Sequence, residues 1–113
     1  MIKHISRDQI NDHLRNGDAI TLVEALPEEY YQYAHLPGAI QMDYTEVNEK
    51  APTLLPNKDA KIVVYCASTE SQNSTKGARA LEALGYTNVH EYVEGKQDWI
   101  EAGLPTESNN GSR

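Results

Sequence analysis

The residue best suited to chemistry in this chain is Cys66, its only cysteine. A thiolate is a strong nucleophile, and a single thiol closes no internal disulfide. Cys66 follows the apolar run Ile62–Tyr65 and precedes a polar segment, Ala67, Ser68, Thr69, Glu70, Ser71, Gln72 and Asn73. Further on, Gly77, Ala80, Leu81 and Leu84 recur with helical spacing. The pattern predicts a buried strand, a loop and a helix near Ser74, with the thiol where strand becomes loop. Sites in open α/β sheets form beyond the carboxyl ends of strands. A helix starting after the loop turns free N–H groups toward it, and a thiol there is expected to ionise below its ordinary pKa of about 8.5. Ser68, Thr69, Ser71 and Ser74 add hydroxyl donors. Glu70 opposes them, because a carboxylate repels both a thiolate and an arriving anion. Lys76, near the helix start, is the supporting cation, and Arg79 lies one turn deeper.

The other reactive residues carry weaker signals. Glu24 and Asp43 fall where they can face the cysteine end of a sheet. His4, His13, His35 and His90 are scattered and have no metal-ligand spacing with Cys66. No glycine-rich phosphate loop is present. No cofactor and no metal are therefore expected. The bland alternative for Cys66 is a small buried residue at a strand end.

Acids outnumber bases by 17 to 10, for a formal net charge of −7. Nucleic acid and anionic membrane surfaces both need cationic neutralisation, so neither is an expected partner. The charge fits simple solubility, or docking of a basic protein partner. The polar start MIKHISRDQ does not read as a signal peptide, and no run approaches the roughly 18 apolar residues of a membrane span. With one cysteine, these features predict a cytoplasmic protein.

The elements that position Cys66 follow from the rest of the pattern. Residues 2–5 predict an edge strand, and Ser6 with Gln9 forms a capping-box signature for a helix ending at Gly17. Residues 19–23 predict a second buried strand. Pro27, Glu28 and Glu29 open a helix over residues 27–34 whose cluster of Tyr30, Tyr31 and Tyr33 is expected to pack half-buried, the alternative being an interface. Pro37-Gly38 makes a turn before a short strand at 39–42. A turn or short helix is expected at 44–49, loop at 51–59, a strand at 87–92 and a last helix carrying Trp99, Ile100 and Leu104. Trp99 is expected in the core or as a lid over the sheet end. Residues 1–105 form one domain in this reading, and residues 106–113 a disordered polar tail. Alternating strands and helices predict an α/β fold with a mostly parallel sheet.

Four segments, in this order and spacing, resemble the rhodanese-like family of the sulfurtransferase and Cdc25 phosphatase superfamily. They are LVEA followed by PEEYY, HLPGAI, VVYC, and LEALGYTNV followed by EGKQDWIEAGLP. The resemblance implies a three-layer fold with a five-stranded sheet in order 1-5-4-2-3. It implies that Cys66 accepts sulfane sulfur as a persulfide, cradled by the backbone of residues 67–72 and their neighbours up to Ser74; Glu24, Lys76 and Trp99 are supporting candidates from their own positions in the chain. The partners it implies are a small-molecule or protein sulfur donor and a thiol acceptor. This loop is longer than the family's usual one and has neither its glycine nor its arginine. Gln72 stands where a phosphatase needs arginine, which points away from phosphate chemistry. Glu70 in place of a cation points away from thiosulfate, a dianion, and toward a persulfide donor. The alternatives are a non-catalytic rhodanese-like binding or regulatory domain and a thiol redox sensor.

Overall fold

The computed structural model describes residues 1–109. Five strands form one sheet: β1 Lys3–His4, β2 Thr21–Glu24, β3 Ile40–Gln41, β4 Ile62–Tyr65 and β5 Val89–Tyr92. Their order is β1-β5-β4-β2-β3, and every pairing is parallel. The helices are α1 Arg7–Asn16, α2 Glu28–Tyr33, a 3-10 turn at Tyr44–Glu46, α3 Val47–Leu54, α4 Asn73–Ala83 and α5 Gly95–Glu101. This is the α/β architecture, and the strand order, expected from the resemblance.

Parallel strands are covered on both faces, and side-chain alternation divides the core in two. Ile62 and Val64 of β4 join Val23, Met42, Val47 and Leu81 on the side of α3 and α4. Val63 and Tyr65 join Ile10, Leu22, Tyr92 and Trp99 on the side of α1 and α5. The same alternation gives β5 a split character. Glu91 shares the α4 face with Val89, and His90 shares the other with Tyr92.

The capping box at Ser6 and Gln9 forms as expected, and Gly17 ends α1 in the left-handed region. Two segments differ from the sequence reading. Residues 51–54 continue α3 through Pro52 where loop was expected. The helix persists because Val47 and Ala51, four apart, are buried together and the Tyr86 hydroxyl donates to the Ala51 and Leu55 carbonyls. Tertiary packing there outweighs the helix penalty of proline. The tail also differs, because Glu107 exchanges two backbone hydrogen bonds with His35 and its carboxylate accepts from the Gly38 N–H. The remainder of the expected tail, residues 110–113, lies outside the described residues.

Candidate functional site

Cys66 stands directly after β4, at the carboxyl end of the sheet's central strand. Its residue exposure is 0%, so the sulfur is covered, as in the alternative of a small buried residue at a strand end. The Sγ lies 3.2 Å from Ser74 Oγ, and 3.8 and 4.0 Å from the Ser71 and Ser68 carbonyl oxygens. Those carbonyl oxygens are acceptors and give the sulfur no N–H donor.

The loop explains this. Its extra length curls back on itself: the Ser71 N–H donates to the Ser68 carbonyl, Glu70 N–H to Ser68 Oγ, and Asn73 N–H to Ser71 Oγ. These amides satisfy the loop rather than the sulfur, a local competition typical of serine-rich turns. Of the sequence-selected loop residues, Ser68, Ser71 and Ser74 reach the sulfur or shape the turn around it. Ala67, Thr69, Glu70 and Gln72 are exposed.

Ser74, at the start of α4, links the thiol to a residue the sequence reading did not single out. Its hydroxyl donates to Glu91 Oε2 at 2.7 Å, and Thr75 Oγ1 donates to the same oxygen at 2.7 Å. Glu91 is buried on β5, aimed at α4 by strand alternation. The signal that could have found it was a carboxylate in a strand whose same-face neighbours, Val89 and Val93, are apolar, on the face opposite to Tyr92.

The second buried carboxylate, Glu24, has different partners. It accepts hydrogen bonds from Tyr65 OH at 2.8 Å and Lys96 Nζ at 2.8 Å. Lys96 also donates to the Tyr30 and Ala34 carbonyls, at 3.0 and 2.7 Å. Burial pushes the Glu24 carboxyl up, more than Lys96 and Tyr65 pull it down. Lys96, like Glu91, was not selected from sequence; only a lysine next to a turn glycine hinted at it. Its backbone N–H donates to the Cys66 carbonyl and that of Gln97 to the Ala67 carbonyl, so α5 holds the base of the loop. Gly95 permits this approach: it has φ +75°, and a Cβ there would lie 2.6 Å from the Cys66 oxygen.

Two supporting candidates go elsewhere. Lys76 extends over the Tyr44 ring, 5.1 Å from its centroid. Trp99 is fully buried in the α1 and α5 side of the core, its Nε1 donating to the Pro105 carbonyl.

The rhodanese-like domain family model matches residues 6–102. The chain belongs to the rhodanese-like domain family. Among solved structures, the rhodanese-like domain of the Anabaena Alr3790 protein is 28% identical, with TM-score 0.85, over 100% of this chain and 84% of that one. The thiosulfate sulfurtransferase PspE of Escherichia coli is 36% identical over 54% of this chain and 57% of its own length. The HTH-type transcriptional regulator Rv0324 of Mycobacterium tuberculosis is 31% identical over 82% of this chain and 40% of its own. The chain thus spans about half, or less, of the length of these curated relatives. The curated relatives it matches include a sulfurtransferase and a transcriptional regulator. Among the described residues, no helix is long and apolar enough to cross a membrane.

Proposed function

We propose that this rhodanese-like domain moves sulfane sulfur through a persulfide on Cys66, and that Glu91 takes the thiol proton by way of Ser74. The observation carrying the reading is the run from Cys66 Sγ to Ser74 Oγ at 3.2 Å and on to Glu91 Oε2 at 2.7 Å. With its own proton committed to Glu91, the Ser74 oxygen offers a lone pair to the thiol. Passing the thiol proton to Ser74 while Ser74 passes its own to Glu91 leaves a thiolate, an intact serine and a neutral carboxylic acid. This route needs no arginine, which the loop lacks.

The thiolate then attacks the outer sulfur of a persulfide donor. The donor's S–S bond breaks, its thiolate leaves, and a new S–S bond forms on Cys66. An acceptor thiolate attacks the same outer sulfur and releases the Cys66 thiolate, so oxidation levels balance over the cycle. Because Cys66 is covered, residues 67–72 must move aside to admit the donor. Cys66, Ser74 and Glu91 are the reacting groups in this reading, and residues 67–72 form the gate around the outer sulfur. Glu24, through Tyr65 and Lys96, positions the strand end and the loop base.

The test is intact-mass spectrometry after exposure to a glutathione persulfide donor. Wild type is expected to gain one sulfur, lost on adding excess thiol; Cys66→Ser is expected to gain none. Retention of full sulfur transfer by Cys66→Ser, across several donors, overturns the reading.

A second reading is favoured by the same burial: a non-catalytic binding domain, with Cys66 as a packed strand-end residue. A thiol titration under native conditions separates them. A thiol that reacts only at the rate of global unfolding supports the binding domain.

A further inference from the structure

We infer that the groove between α2 and α5 docks a basic segment of a partner protein that inserts one apolar side chain beside the Cys66 loop. Helix α2 buries none of its residues. Tyr31 turns inward, stacking on His35 at 3.8 Å and donating to the Ala39 carbonyl. Tyr30 and Tyr33, three apart on the other face, are 55% and 75% exposed. On α5, Ile100 is 46% exposed. The two stripes face each other across Lys96, whose Nζ is turned inward to Glu24 and the α2 carbonyls. The stem of Lys96 therefore lines the groove while its charge is spent inside. Ala67, the residue after Cys66, closes one end. The groove measures about 350 Å³, at the lower end of the roughly 300–1,000 Å³ of ligand clefts, which suits one large side chain rather than a bulky cofactor.

Charge selects the occupant. At Gln97 and Glu101 the groove meets a depression lined by Ser68, Glu70, Glu94 and Asp98. Asp98 is paired with Arg7 and Tyr92. None of the ion pairs among the described residues involves Glu70, Glu94 or Glu101. Three uncompensated carboxylates beside an aromatic cleft attract a cationic segment and repel an acidic one. A lysine-rich segment with an aromatic anchor satisfies both parts of the surface, and a second copy of this acidic chain does not.

The inference goes beyond sulfur transfer and holds whether or not Cys66 reacts. The test uses the 15N-labelled chain and three synthetic ten-residue peptides: lysine-rich with one central Phe, the same with Ser for Phe, and the same with Glu for Lys. The Phe–Lys peptide is expected to shift the amide resonances of Tyr33, Ala67, Gln97 and Ile100. Its affinity should fall about tenfold when salt rises from about 0.02 to about 0.3 M. Tyr33→Ser with Ile100→Ser should weaken it about tenfold while leaving sulfur uptake by Cys66 unchanged. Equal binding of the Ser or Glu peptide, no binding at millimolar peptide, or a wild-type dimer dispersed by the double variant each overturns it. Loss of sulfur uptake in wild type bears on the persulfide reading alone.

Discussion

Glu24 and Glu91 are both buried carboxylates near the carboxyl end of the sheet, on opposite faces, and they are furnished differently. Glu24 has a cation, Lys96, and a phenol, Tyr65. Glu91 has two hydroxyls, Ser74 and Thr75, and no ion pair among the described residues. An ion pair whose lysine also caps two α2 carbonyls is a lock, because either partner left alone is a buried charge. A carboxylate solvated only by hydroxyls can accept a proton without stranding a cation. One carboxylate therefore holds the loop base and the α2 end, and the other is the candidate proton acceptor for Cys66.

The comparison breaks most easily at Lys96. Lys96→Met is expected to destabilise the chain by about 3–5 kcal/mol in urea unfolding, and Glu24→Met with Lys96→Met by less than the single change. Glu24 titrates higher in the folded state than the unfolded carboxyl value of about 4.3, so the folded state binds that proton more tightly. Its contribution to stability therefore grows as pH falls through the folded pKa. The acid relief should be larger in Lys96→Met than in wild type. An unchanged urea midpoint in Lys96→Met would remove the lock.

Glu91→Gln tests the other side. It keeps an acceptor for Ser74 but cannot take the proton, so persulfide formation should slow about 100-fold at neutral pH. The deficit should shrink as pH rises and solvent removes the thiol proton instead. A rate equal to wild type across pH would make Glu91 a scaffold residue like Glu24.

The smallest effect concerns His90, next to Glu91 but on the opposite face. Burial, then Lys61, Lys3 and His13, hold its pKa below the ordinary value. The unfolded chain then binds more protons, so this contribution is fully present above about pH 6.5 and is lost as pH falls through that value toward the folded pKa. Its sign is opposite to that of Glu24. In His90→Gln the slope of stability against pH just below about 6.5 should flatten; a slope as steep as wild type would assign the acid limb elsewhere.

Local pattern carried the fold. Ser6 and Gln9 capped α1, the β-branched runs became β2 and β4, and Gly85 followed α4 as the spacing predicted. Pro52 misled because its cost is local while the compensation, packing of Val47 and Ala51 under Tyr86, comes from distant chain. The tyrosines at 30, 31 and 33 read as one cluster, yet only Tyr31 packs inward, since α2 turns its two others away from the sheet.

By itself the sequence determined a parallel α/β sheet with one thiol at the end of its central strand, because apolar period and turn residues act over a few neighbours. Only the tertiary structure decided what surrounds that thiol. Ser74 and Glu91 are 17 residues apart and Glu24 and Lys96 are 72 apart. Such pairs form when strand alternation and right-handed crossovers bring distant side chains into one low-dielectric space. The covering of Cys66 was decided there too, by a loop whose serines meet their own backbone before they meet the sulfur.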